Sequence, residues 1–407
     1  MKKEETKLLL NEEEFKKLEN PSYDLEKDKK LFRENLFICY NNIMDTLKKY
    51  CDLKEEYYNL LTIWIIGTYF HEQFISYPYL FFNAMKGSGK TRTLNLVTSL
   101  SKNGEVLNSL TEAVLFRTKG TLGIDEFEGI ERKGMENLKE LLNSAYKRGT
   151  KVKRMKQKKT NEGVEQVVEE FDVFRPIVMA NIWGMDNVLG DRCVTLILEK
   201  SNKQKITNLL EIFREEIIVK ETIKLLNWCS LCRCSFSVED YMMWNYFITN
   251  NYTNNTNTIN NINNTNNILL LQTFKTINLS GLVGRELELS FPLILISSLI
   301  SEDVLKETTL TLSTTFKEKR IEDFVENKDI SLIDFVSQKC ENYYLSVNEI
   351  TREFREFLQT SEEWINSKWL GRALKRLNLI KEKRRVGRGT EVILNIEKAQ
   401  ERIKVFK

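Results

Sequence analysis

The sequence predicts an α/β protein with a parallel sheet, and three observations lead there. Helix-like and strand-like segments alternate from about Tyr57 to residue 200. A glycine-rich loop at Gly87–Thr91 stands between a short apolar strand and a helix. A second apolar strand, Thr121–Ile124, ends in two carboxylates, Asp125 and Glu126. Parallel strands need crossover helices between them, so this alternation favours a parallel sheet over hairpins.

At 407 residues the chain exceeds one hydrophobic core, so two or three domains are expected. Apolar residues make up 42% and charged residues 29%, and the formal charge is +3. Any nucleic-acid binding must therefore come from local basic clusters. No run of about 18 apolar residues is present and the Lys/Glu-rich start is not a signal peptide, so a soluble, cytoplasmic protein without membrane contact is expected. Seven scattered cysteines do not make a disulfide framework, and Cys229, Cys232 and Cys234 read as core thiols. His71 is the only histidine, which removes most metal sites and Ser-His or Cys-His catalysis.

Residues 1–52 read as a helical N-terminal appendage, with Phe32, Leu36, Ile43 and Leu47 at helical spacing. The α/β core is expected over 53–235. It opens on an apolar helix (Leu60, Leu61, Trp64, Ile65, Tyr69) and runs through Ser76-Tyr77-Pro78 into a strand, Tyr79–Phe82. Residues 236–325 read as a helical lid interrupted at 250–267 by an Asn/Thr low-complexity insertion that cannot bury a core. A compact unit over 326–407 closes the chain.

Ala84-Met85-Lys86-Gly87-Ser88-Gly89-Lys90-Thr91 has the spacing of a phosphate-binding P-loop, with Ala84 where a first glycine usually stands. Gly87, Ser88 and Gly89 would let backbone N–H groups curl around phosphates. Lys90 would neutralise the β and γ oxygens, and Thr91 would offer a hydroxyl to Mg²⁺. Asp125 is the expected second holder of Mg²⁺ and Glu126 the group that polarises the attacking water; an acidic turn is the alternative. ATP and Mg²⁺ are thus the expected cofactors of a P-loop ATPase.

From about Leu60 to Lys200 the order of these motifs resembles the AAA+ and superfamily 3 type ATPases, helicase-like proteins of archaeal plasmids and viruses. The resemblance implies that Asn181, ending the strand Pro176–Ala180, is a sensor that orients water; an Asn capping the next turn is the alternative. It implies that Arg192 is an arginine finger acting on a neighbouring subunit, hence a ring, commonly a hexamer. A local Asp191–Arg192 ion pair would also explain that residue. Arg285, opening an apolar helix in the lid, resembles a second sensor. No paired aspartates or zinc-binding stem of a polymerase are seen.

Two basic regions are candidates for DNA. Between Lys147 and Phe174 two strands are expected, with Lys156–Gly163 as a basic turn. The resemblance places such a hairpin in the ring channel, where Lys156, Lys158 and Lys159 would contact the phosphates of single-stranded DNA without reading bases. A solvated charge run is the bland alternative. The C-terminal unit looks like a winged helix: helices Val347–Leu358 and Lys368–Leu377, then strands Leu379–Val386 and Thr390–Ile396 around Gly387-Arg388-Gly389. Lys368, Arg372, Lys375, Arg376, Arg384, Arg385 and Arg388 are its candidate contacts to duplex DNA. The expected function is a DNA-dependent ATPase, a ring-forming replicative helicase or translocase of a mobile element. An ATP-switched replication initiator or regulator is the alternative.

Overall fold

A computed structural model describes residues 25–107, 110–125, 136–160, 163–182, 185, 187–231, 238–249, 265–340, 343–387 and 389–404. They form two compact units that divide between Thr315 and Phe316.

The first unit is built on five parallel strands: β1 (Tyr79–Ala84), β2 (Glu105–Leu107), β3 (Leu122–Ile124), β6 (Ile177–Asn181) and β7 (Cys193–Leu198). Their spatial order is β2-β3-β6-β1-β7. From β1 the chain leaps to the β2 edge, steps back through β3 and β6, and crosses to β7 on the far side of β1. Because all five run the same way, the segments following β1, β3 and β6 emerge side by side at one end of the sheet, where parallel sheets bind ligands. Every residue of β6 is buried, as expected of strands covered on both faces.

Helices α1 (Leu25–Tyr50), α2 (Glu55–Thr68) and α3 (Lys90–Leu100) stack upon this sheet. The α3 helix lies across β1, β2, β3 and β6, and both α1 and α2 pack on it. The α1 stripe of Phe32, Leu36, Ile43 and Leu47 is fully buried, because their spacing puts them on one helical face. The α2 helix is apolar all round and buried nearly throughout, so it needs partners on every side. Asn59, buried inside this layer, accepts from the Tyr40 hydroxyl and donates to Thr308 Oγ1.

Gly123 explains how closely the sheet and α3 approach. A Cβ there would sit 2.4 Å from Thr98 Oγ1, so only glycine lets β3 lie against the helix at this point. Further helices follow in order: α4 (Glu112–Arg117), α5 (Glu136–Ser144), α6 (Asn187–Gly190), α7 (Gln204–Thr207), α8 (Ile217–Leu231), α9 (Val238–Thr249), α10 (Thr265–Leu279) and α11 (Gly284–Ile300). The α8 helix packs on α1, and α11 on α1, α2 and α10. The Asn/Thr-rich insertion lies outside the described residues up to 264; its last residues, 265–267, already belong to α10.

The basic hairpin is longer than its sequence implies. Strands β4 (Lys151–Thr160) and β5 (Gly163–Asp172) pair antiparallel from Lys151 opposite Asp172 to Thr160 opposite Gly163. Lys156, Lys158 and Lys159 therefore stand in the strand and not in the turn, opposite Val167, Glu165 and Val164. Charged residues broke the apolar alternation that marks a strand, while the cross-strand ladder carries β4 through them. Asn161 and Glu162 lie outside the described residues.

The α12 helix (Glu302–Glu326) carries the chain into the second unit. There α13 (Lys328–Ser337), β8 (Leu345–Ser346), α14 (Val347–Phe357), α15 (Ser367–Arg376), β9 (Ile380–Val386), β10 (Gly389–Leu394) and α16 (Ile396–Ile403) follow one another. The strands form an antiparallel sheet in the order β8-β10-β9. Asn327, Ser346, Asn366 and Asn395 cap the four helices, each accepting a backbone N–H from the first turn. Val336, Ile350, Phe354, Leu370, Leu374 and Val392 meet in its core.

Candidate nucleotide site

The loop after β1 is shaped by two glycines. Gly87 and Gly89 have φ of 82° and 80°, the left-handed region that other residues enter only at a cost, and a Cβ at either would meet nothing within 4 Å. The barrier to substitution is conformational, since the space beside the loop is open. Ala84 occupies a buried position at the end of β1, paired with Leu198 of β7, so it serves the packing of the sheet. Ser88 is buried, and its hydroxyl has no hydrogen-bond partner among the described residues. Gly89 then caps α3, which starts at Lys90.

The next two side chains reach across to the end of β3. Thr91 Oγ1 donates to Asp125 Oδ2 at 2.7 Å, and Lys90 Nζ stands 3.9 Å from Asp125 Oδ1. The side chains of Lys90 and Asp125 are each only about an eighth exposed, at 12% and 13%. One cation, one hydroxyl and one carboxylate thus converge at the N-terminus of a helix, where free N–H groups favour anions. This donor set fits Mg²⁺, which binds through one or two protein oxygens and completes its shell with water and phosphate oxygens. Among the described residues no cluster of three or more His, Cys, Asp or Glu could hold a metal by itself. Glu126 lies outside the described residues.

The loop and first helical turn, Gly87–Thr91, floor a cleft of about 760 Å³. One wall is the turn between α1 and α2, Tyr50-Cys51-Asp52; the other is the segment after β7, including Lys200, Ser201, Ile206 and Thr207. Two side chains that sequence reasoning missed tie this cleft together. Arg92 donates to the carbonyls of Ile206 and Leu209 at 2.8 and 2.7 Å. Asp52 accepts from Lys203 Nζ and Ser201 Oγ, both at 2.7 Å, and these bonds hold its carboxyl below the usual carboxylate range. A cation in the first turn of a helix opposes the helix dipole, so Arg92 carried a signal that its charge is used elsewhere. Burial pushes the neighbouring Cys51 thiol up to about 11, which keeps it protonated and unreactive.

Asn181 stands at the end of β6, between β1 and β3 and opposite Asn83. Its Oδ1 accepts the backbone N–H of Ile182 at 2.5 Å, so it shapes the turn that follows. Arg192 and Arg285 come together elsewhere, on the ring of Tyr146. Their guanidinium carbons lie 5.5 and 5.2 Å from its centroid, and Arg285 Nη1 donates to the Tyr146 hydroxyl at 3.0 Å. Arg192 also donates to the carbonyls of Asn143, at 2.8 Å, and Val188. Neither arginine lines the cleft.

The hairpin is rooted on α4. Arg154 pairs with Glu112 and lies 5.3 Å over the Phe116 ring, which stacks on Phe171 at 5.1 Å. In the second unit, Lys368, Arg372 and Lys375 lie along the exposed face of α15, opposite its buried Leu370, Ala373 and Leu374. Arg376 is held by Asp329 at 2.6 Å and Arg384 by Glu391 at 2.6 Å, while Arg385 is exposed. Arg388 lies outside the described residues.

No helix among the described residues is long and apolar enough to cross a membrane. No family model and no curated protein matches the chain. A solved structure described as "SCCmec type IV Cch - active helicase" is similar over 88% of this chain and 70% of that one, at 14% identity and a TM-score of 0.39.

Proposed function

We propose that this chain is a DNA-dependent ATPase of the AAA+ and superfamily 3 type, acting as a ring-forming helicase or translocase. The observation that carries the reading is the meeting of Lys90, Thr91 and Asp125 beneath a left-handed glycine loop, at the end of the sheet where β1 and β3 open together. Backbone N–H groups of Gly87 to Lys90 would bind the β- and γ-phosphates, and Lys90 would offset their charge. Mg²⁺ held by Thr91 and Asp125 would supply further charge neutralisation at the transferred phosphoryl group. Glu126, next in sequence, would take the proton of the attacking water. The nucleoside end would lie between the Tyr50-Cys51-Asp52 turn and the Arg92-held segment.

DNA would meet two surfaces. The hairpin would follow a single strand through Lys156, Lys158 and Lys159. The second unit, which we infer to be a winged helix, would hold duplex phosphates on Lys368, Arg372 and Lys375. In a ring, commonly a hexamer, Arg192 would complete the neighbour's site. A second reading, an ATP-switched initiator without processive unwinding, draws on the bonds that Arg192 makes to carbonyls of its own chain.

The test is ATP turnover with and without single-stranded DNA, together with strand displacement, for the wild type and Lys158→Ala/Lys159→Ala. Stimulation and displacement that both fall in the double variant support the helicase reading. Stimulation without displacement supports the initiator, and DNA that neither binds nor stimulates sinks both.

A further inference from the structure

Among the described residues two carboxylates line the cleft beside the glycine loop, Asp52 and Glu211. Glu211 is taken up by α3: Arg92 Nε stands 3.5 Å from one of its oxygens, and Asn95 Nδ2 donates to the other at 3.4 Å. Asp52 is the more enclosed of the two, its side chain 17% exposed against 39%. The backbone on either side of it is fixed by one group. The Tyr58 hydroxyl donates to the carbonyl of Cys51 at 2.9 Å and accepts the N–H of Leu53 at 3.0 Å.

This turn sits against the phosphate-binding end of α3, because Cys51 Sγ lies 3.5 Å from Thr93 Oγ1, in the same helical turn as Lys90 and Thr91. A negative group so placed repels a triphosphate, so its counterpart is the neutral, donor-bearing part of a nucleotide. Asp52 accepts one bond at each oxygen, Oδ2 from Ser201 and Oδ1 from Lys203. A carboxylate oxygen has two lone pairs, and each therefore keeps one acceptor position. The same two bonds hold the carboxyl ionised at neutral pH, so it offers acceptors and no donor.

We propose that Asp52 makes the site selective for ribonucleoside triphosphates: its carboxylate accepts the hydrogens of the ribose hydroxyls, so ATP is favoured over 2′-deoxy-ATP. This rests on the nucleotide site proposed above. A hydroxyl bonded to a carboxylate makes a charge-assisted hydrogen bond, the stronger kind. A 2′-deoxy sugar presents a C–H at that carbon and leaves the acceptor position unused. Because Asp52 keeps its bonds to Ser201 and Lys203, the loss is that of one bond to a charged group, roughly 10- to 100-fold in affinity. The other neutral donor of ATP is the amino group of its base. ITP carries an oxygen in place of that amino group and separates the two sources.

Titration calorimetry of the full chain in EDTA, where no turnover proceeds, measures the affinities for ATP, 2′-deoxy-ATP and ITP. The wild type is expected to favour ATP over 2′-deoxy-ATP by at least about tenfold. Asp52→Ala is expected to bring that ratio to about one, the bond to the charged group being gone. Asp52→Asn keeps the side chain's shape and answers the question where the alanine variant fails to fold; its neutral oxygen accepts more weakly, so the ratio falls at least about threefold. Lys203→Met leaves the carboxylate in place and is expected to retain the preference. A wild type indifferent to the 2′-hydroxyl, or Asp52 variants that weaken both nucleotides alike, overturns the proposal while the nucleotide site stands. So does a change in the ratio of ATP to ITP in place of ATP to 2′-deoxy-ATP, or a preference lost equally in Lys203→Met. A wild type that binds none of the three, or a Lys90→Ala variant that binds them undiminished, overturns the underlying nucleotide reading with it.

Discussion

Thr91 Oγ1 donates a hydrogen bond to Asp125 Oδ2 across 2.7 Å, joining the first turn of α3 to the end of β3. The two oxygens are poised to share a cation, and the hydroxyl hydrogen must turn away when one arrives. Thr91→Val keeps the shape and removes the oxygen. Its affinity for ATP in Mg²⁺ should fall roughly tenfold, the worth of one charge-assisted contact. In EDTA the variant and the wild type should bind alike. Titration calorimetry in both buffers reads the difference.

Arg92 holds one wall of the same cleft through the carbonyls of Ile206 and Leu209. Arg92→Met should therefore weaken ATP by about tenfold and leave inorganic tripolyphosphate unaffected, because only ATP has a nucleoside to place against that wall. Lys90→Ala should weaken both ligands. Equal losses of ATP and tripolyphosphate in Arg92→Met would show that the arginine acts on the phosphates.

Gly123 is where β3 and α3 touch. Gly123→Ala places a methyl 2.4 Å from Thr98 Oγ1 and should cost about 1–3 kcal/mol. Thr98→Ala removes that oxygen, which has no hydrogen-bond partner among the described residues. The double variant should be more stable than the sum of the two single effects by over about 0.5 kcal/mol in denaturant titrations.

His71 is buried, with its Nδ1 donating to Thr68 O at 2.7 Å and its ring against Phe174. Burial holds its pKa below the usual 6.5. Since the folded pKa is depressed, the contribution to stability is complete above pH 6.5 and is lost as pH falls toward the folded value. The slope is at most about 1.4 kcal/mol per pH unit. As His71 is the only histidine, His71→Phe should flatten urea midpoints between pH 5.5 and 7, roughly the histidine range.

Local signals in the chain were easiest to read. The glycine loop and the strands expected at Tyr79–Phe82 and Thr121–Ile124 stand where spacing and apolar runs place them, as β1 and β3. Long-range closure was not legible. Asp52 and Ser201 are far apart in sequence, and nothing in either neighbourhood announces their hydrogen bond. Nor does periodicity reveal that Arg192 and Arg285 share Tyr146. A run of charge hid the extent of one strand: β4 continues through Lys156–Lys159. There the cross-strand partner sets the pattern, and it lies outside a local window.

The most direct measurement is phosphate release from ATP by the full chain in Mg²⁺, set beside Lys90→Ala and Asp125→Ala. Turnover by the wild type is expected, with both variants at background. A wild type that neither binds nor hydrolyses nucleotide, or variants that turn over as fast as it does, would contradict a nucleotide site at Gly87–Thr91.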